Sequence, residues 1–166
     1  MSAGQANSQF KAGGFTYISK ETHDVLLAFD RNDATSKTDE VLLPCRVWDK
    51  VSPDLQPFCV SYADPERPSY YAIHRNGKIL YEPEYDATNP NTFDEDASYI
   101  YKSDAYFQGF GTFESYNLPN HFAIANTTSK QMELREFQDT EEFRIAASFA
   151  AFDSSKKGEL FHPSCV

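Results

Sequence analysis

Little in this 166-residue chain invites redox or metal chemistry: three cysteines, two methionines, one tryptophan and four histidines. Cys45, Cys59 and Cys165 lack metal-ligand spacing. They fit either free thiols in a reducing compartment or one disulfide with a thiol left over. His23, His74, His121 and His162 are scattered, with no i, i+4 pair, so no metal or cofactor is expected. Positive charge is scarce as well. Fifteen Lys and Arg face 25 Asp and Glu, for a formal net charge of −10. A phosphate backbone or an anionic membrane needs a basic stripe, so nucleic acid and membrane are excluded as partners. No apolar run is long enough to cross a bilayer. The opening MSAGQANSQFKAGG has no apolar h-region, so no secretory signal is expected, and the location would be cytoplasmic if the chain is full length. Without such a signal, the glycosylation sequon Asn126-Thr127-Thr128 carries little meaning. Also missing are a G-x-S-x-G elbow, a phosphate-binding loop and a dinucleotide fingerprint, so catalysis is not expected. Asp94-Glu95-Asp96 is acidic but fits no EF-hand loop.

What the chain does have is aromatic residues, 14 Phe and 10 Tyr, which suit a pleated, half-buried surface. Apolar residues rarely recur at helical spacing; short strands alternate with turn clusters instead. The strands expected are Gly14–Ser19, Asp24–Asp30, Glu40–Asp49, Phe58–Ala63, Tyr70–Arg75, Lys78–Glu84, Ala97–Lys102, Gly111–Tyr116, His121–Asn126, Gln131–Phe137, Phe143–Phe152 and Gly158–Ser164. Asn76-Gly77 fits a two-residue hairpin turn. Residues 1–13 read as a disordered arm, and 14–166 as one domain of ordinary size.

Two stretches look like copies. Residues 58–101 and 113–152 both run through an aromatic-Ser-Tyr segment, a Pro turn, an aromatic-x-Ala-Ile strand and a third strand. Both close on Phe-x-x-x-Ala-Ser-aromatic. A period of about 50 residues with four strands per unit suggests three units and an all-β β-trefoil of about twelve strands, the first repeat degenerate. Two copies alone would also fit a sandwich of duplicated sheets.

FESYNLPNHFAIAN followed by EFRIAASF resembles the AbfB domain, the arabinose-binding module (carbohydrate-binding module family 42) appended to α-L-arabinofuranosidases. The resemblance covers roughly residues 58–152. It implies a β-trefoil that binds side-chain sugars in shallow pockets, at most one per repeat, and so a non-catalytic, lectin-like module. In the family pattern the sugar is held chiefly by the His of the second strand and the Asp of the fourth, beside aromatic residues. Carried over, the first copy keeps both, as His74 in YYAIHRNG and Asp96 in FDEDASY. The second copy has Ala125 and Ala146 there, which leaves at most one live pocket. The family's Arg before the His is Ile73 here, while Asn76 keeps its His-x-Asn spacing.

The pair makes chemical sense alone: a carboxylate accepts two vicinal hydroxyls, and an imidazole donates or accepts. Tyr70 or Tyr71 could add a ring face, with strand alternation favouring Tyr70. A structural reading stands beside this one. Asp96 could cap its loop, and a buried His–Asp bond could tie two strands together. The candidate ligand residues are therefore His74, Asp96, Tyr70, Tyr71 and Asn76. The candidate partner is a pentose or hexose carbohydrate. The alternative is an unidentified protein on a trefoil whose sugar sites have decayed.

Overall fold

The computed structural model describes residues 15–19, 28–30, 33–37, 41–64, 67, 69–126 and 131–153. Their strands fall into three groups of four. The first is β1 (Phe15–Ser19), β2 (Ala28–Asp30), β3 (Asp33–Lys37) and β4 (Val41–Pro44). The second is β5 (Cys59–Ala63), β6 (Tyr70–Arg75), β7 (Lys78–Pro83) and β8 (Tyr99–Lys102). The third is β9 (Thr112–Ser115), β10 (His121–Asn126), β11 (Gln131–Glu136) and β12 (Phe149–Asp153).

Inside each group the middle two strands form a hairpin: β2–β3, β6–β7 and β10–β11. The outer strands pair across group boundaries, β4 with β5, β8 with β9, and β12 with β1. Within the second group β5 pairs β8; in the third, Gly111 bridges Phe149. The hairpins also meet one another, β7 touching β2 at Asp30↔Tyr81 and β11 at Glu133↔Lys78. A ring of outer strands with three hairpins gathered at one end is a β-trefoil, the fold expected from the repeat.

The central core draws on both layers. Val60, Tyr62, Tyr99, Phe113 and Phe149 come from outer strands, and Ala72, Tyr81, Ala123 and Met132 from hairpins. Tyr62 meets Phe113 edge-on at 5.5 Å, and Phe113 lies 5.9 Å from Phe149, geometries that add to simple area burial. Asn76 and Gly77 both take positive φ, 51° and 81°, the two left-handed residues that a tight hairpin turn between Arg75 and Lys78 demands.

Several expectations are corrected. The Phe143–Phe152 strand begins as a helical turn, Glu141–Ala146, and turns into β12 only at Phe149. The cause lies in the repeated Phe-x-x-x-Ala-Ser motif. Ala147 N–H bonds Phe143 C=O at 3.0 Å, Ser148 N–H bonds Ile145 C=O at 3.2 Å, and Ser148 Oγ donates to Arg144 C=O at 2.6 Å. Thr140 caps the start by accepting from Phe143 N–H at 3.1 Å. The first copy repeats the helical turn at Phe93–Asp96, with Ser98 Oγ donating to Asp94 C=O at 2.7 Å, so β8 begins at Tyr99 rather than Ala97. The motif shared by the two copies is thus a helix-closing device rather than a strand. The Glu40–Asp49 strand ends at Pro44 and gives way to a short 3-10 turn, Trp48–Lys50. Strand β3 was not expected, being polar and short. The expected arm (1–13) and the Gly158–Ser164 strand lie outside the described residues.

Of the two cysteine readings, the disulfide holds: Cys45 and Cys59 are bonded, with Cα atoms 5.1 Å apart, and are 3% and 0% exposed. The bond ties the end of β4 to the start of β5 and packs against Val47 and Val51.

Candidate functional site

His74 is the fifth residue of β6, opposite Ile79 of β7, one step before the hairpin turn. Asp96 closes the helical turn Phe93–Asp96, which Phe93 pins to Ile73 and Ala97 in a small core of its own. The two side chains meet: His74 Nε2 lies 3.4 Å from Asp96 Oδ1. Neither stands in an open patch, since their side chains are 11% and 6% exposed.

Asp96 Oδ1 accepts from Asn117 Nδ2 at 2.7 Å, and Oδ2 from Thr92 Oγ1 at 2.8 Å and from Arg75 Nη1. With His74 beside Oδ1, each oxygen has two partners, about the full acceptor capacity of a carboxylate. The network also fixes the tautomer. Asn117 turns its amide nitrogen to the carboxylate, so its Oδ1 faces His74 Nε2 at 2.8 Å. Facing two acceptors, Nε2 carries a proton, which leaves Nδ1 as the ring nitrogen outside this network. Ser115 Oγ steadies Asn117 by donating to Oδ1 at 3.0 Å while accepting from Leu118 N–H at 3.1 Å.

Arg75 sits between two carboxylates, bonded to Asp96 on one side and 3.6 Å from buried Glu82 Oε1 on the other. Glu82 is in turn fixed by Thr88, whose N–H and hydroxyl donate to it at 2.9 and 2.7 Å. A buried guanidinium requires such compensation.

The other candidates are placed elsewhere. Tyr70 shares the strand face of His74, yet four residues of strand separate them by about 13 Å. Its ring carries the Arg67 guanidinium at 4.1 Å and faces Tyr85 at 6.5 Å. Tyr71 packs edge-on against Phe93 at 6.0 Å under Arg46 at 4.7 Å. Asn76 is exposed in the hairpin turn. The fold therefore joins His74 to Asp96 and sets both tyrosines apart from the pair.

Sequence reasoning missed Arg75, Thr92 and Asn117. Thr92, four residues before Asp96 at the start of a helical turn, was within reach of local reasoning. Asn117 was not, because it belongs to the Asn-Leu-Pro turn of the following repeat: the cluster is built across a repeat boundary.

In the third group the backbone scaffold recurs and the polar pair does not. Ala125 opposes Met132 as His74 opposes Ile79, and Ala146 ends its helical turn as Asp96 does. Arg135, opposite Phe122, stands where the second group has Glu82, opposite Tyr71.

No curated protein matches the sequence. Among solved structures, a GH54 α-L-arabinofuranosidase soaked with 4-nitrophenyl α-L-arabinofuranoside superposes with a TM-score of 0.61 at 15% identity, over 86% of this chain and 31% of that one. An arabinofuranosidase complexed with arabinofuranosyl-α-1,2-xylobiose gives 0.61 at 14%, with the same coverage. The chain thus spans about a third of those enzymes. A BEL β-trefoil gives 0.57 at 10% identity, over 84% of this chain and 92% of that one. At such identities these likenesses speak for the fold alone. The model of the α-L-arabinofuranosidase B (ABFB) domain matches residues 17–151, through all three strand groups and both halves of the His74–Asp96 pair, and the chain belongs to that family.

Proposed function

We propose that this chain is a non-catalytic carbohydrate-binding module whose sugar is held at His74 and Asp96. The observation that carries the reading is their meeting at 3.4 Å, two residues 22 positions apart that the motif resemblance assigns to holding the sugar. The surrounding bonds bear on how a sugar would enter. Thr92 Oγ1 offers Asp96 a hydroxyl donor at 2.8 Å, so a sugar hydroxyl arriving there exchanges like for like. Arg75 stays in place and holds the carboxylate, while His74 Nδ1 bonds a neighbouring hydroxyl of the same sugar. Tyr70 and Tyr71, set apart from the pair, then take no part in holding the ring, and exposed Asn76 stands at its edge. One pocket of this kind is proposed, since Ala125 and Ala146 remove the pair from the third group.

A second reading is a protein-interaction trefoil. It draws on an apolar hollow of about 300 Å³ lined by Val51, Leu55, Ile100, Tyr116 and Pro119, with Leu55 43% exposed. A glycan array covering arabinosides and galactosides, run beside a pull-down, separates the two. Arabinoside binding lost in His74→Ala and Asp96→Asn supports the first. No binding to any glycan, with one protein recovered specifically, decides for the second.

A further inference from the structure

The third group does more than lose a site. Where His74 and Asp96 fill the space between hairpin and helical turn, Ala125 and Ala146 leave a cavity of about 250 Å³. Its inner wall is apolar: Phe143, 6% exposed, and Ala146 come from one packed cluster that also holds Ile124, and Ala125 lines the cavity from the face of the central core. Its outer wall is polar and exposed, with Arg135, Gln138, Thr140 and the acidic Glu142 at the rim and half-buried Asn126 beside them. Arg135 is paired with Glu133, which also accepts from Asn126 Nδ2 at 2.9 Å. The rim therefore offers hydrogen bonds without a net positive charge, and an anion has no advantage there.

From this layout, and resting on the reading of the chain as a carbohydrate-binding module, we infer that the Ala125/Ala146 cavity is a second site. It takes a neutral monosaccharide bearing an apolar substituent, a 6-deoxy methyl or an O-acetyl group. The substituent fills the space vacated by the His/Asp pair, and the ring hydroxyls meet the amides and guanidinium at the rim. A plain hydroxyl aimed at the same wall finds only methyl groups and ring edge and is left unpaired, a loss worth about tenfold in affinity. The two pockets thus sort their ligands by opposite chemistry, hydroxyls at His74–Asp96 and an apolar group at Ala125–Ala146.

The test is an amide NMR titration of the whole chain with a matched pair of sugars, methyl α-L-fucopyranoside and methyl α-L-galactopyranoside, which differ by one hydroxyl. The expected result is movement of the Ala125, Asn126 and Ala146 amides, with the fucoside bound about tenfold more tightly. Ala146→Leu should abolish that response by filling the cavity. Gln138→Ala, on the exposed rim where folding is not at stake, should weaken it. Equal affinity for the two sugars, or a response unchanged in both variants, overturns the inference. Methyl α-L-arabinofuranoside, run in parallel, reports on the other pocket. If it moves His74 and Asp96 while the fucoside moves nothing, this inference falls alone. If the fucoside fills the cavity and the arabinoside leaves His74 still, only the His74–Asp96 assignment falls. Silence from every sugar overturns both.

Discussion

Removing the Asp96 carboxylate should cost far more stability than a surface acid would. Asp96→Ala deletes one acceptor that serves Arg75, Thr92, Asn117 and His74 together. Its side chain is 6% exposed and that of Arg75 is 15% exposed, so water cannot simply take over. Glu82, 3.6 Å from Arg75, compensates in part. Breaking a buried pair by removing one partner costs about 3–5 kcal/mol, and the lower half of that range applies because Glu82 remains. Urea unfolding of four proteins gives the decomposition: wild type, Asp96→Ala, Arg75→Met and the double variant. The expected outcome is a cost of about 3 kcal/mol for Asp96→Ala alone, and a much smaller one in the Arg75→Met background, because no buried cation is then left behind. Strict additivity, or a single-variant cost below about 1 kcal/mol, would mean that the cluster is solvated and the buried network described above is wrong.

Other perturbations test the scaffold. A Cβ on Gly111 would stand 2.3 Å from the Tyr101 ring while the Gly111 backbone is held by Phe149, so Gly111→Ala should cost about 1–3 kcal/mol and be partly rescued by Tyr101→Ala, as read by thermal unfolding. The Cys45–Cys59 bond closes a loop of sequence separation 14, so Cys45→Ser/Cys59→Ser should lower stability by about 3 kcal/mol in denaturant titration. Burial, with a smaller contribution from Asp104, raises the Tyr101 phenol above its ordinary value. The unfolded chain therefore ionises first. The stability from this group is full below the ordinary phenol range near pH 10 and is lost as pH rises through the folded value. A late phenolate absorbance transition that accompanies unfolding checks this, and it should vanish in Tyr101→Phe.

The trefoil was legible because its evidence is repeated packing. Tyr70–Arg75 and His121–Asn126 have the bounds that alternation and the Asn76-Gly77 turn require, and the aromatic positions 99 and 149 are both core. What failed was the reading of Phe-x-x-x-Ala-Ser as strand. Its period of four between Phe93 and Ala97, or Phe143 and Ala147, is one helical turn, but a single turn lies below the window in which periodicity can be recognised. Strand β3, DATSK, carries no apolar alternation at all; its pairing with β2 is imposed from outside the segment. The site divides along the same line. His74 and Asp96 were identified by their motif positions, and their contact follows from the hairpin lying over the helical turn. Arg75 carries no motif signal of its own, yet burial between Asp96 and Glu82 makes it the electrostatic centre of the cluster. Asn117 comes from the next repeat, and no reading confined to one copy could have supplied it.

The central claim, a sugar at His74 and Asp96, is tested most directly by calorimetric titration of methyl α-L-arabinofuranoside into the wild-type chain and into His74→Ala, with folding of both verified by circular dichroism. The account predicts saturable binding by the wild type and a loss of about tenfold or more in the variant, the worth of one hydrogen bond in a fixed ligand geometry. Equal affinity in the two proteins would contradict it.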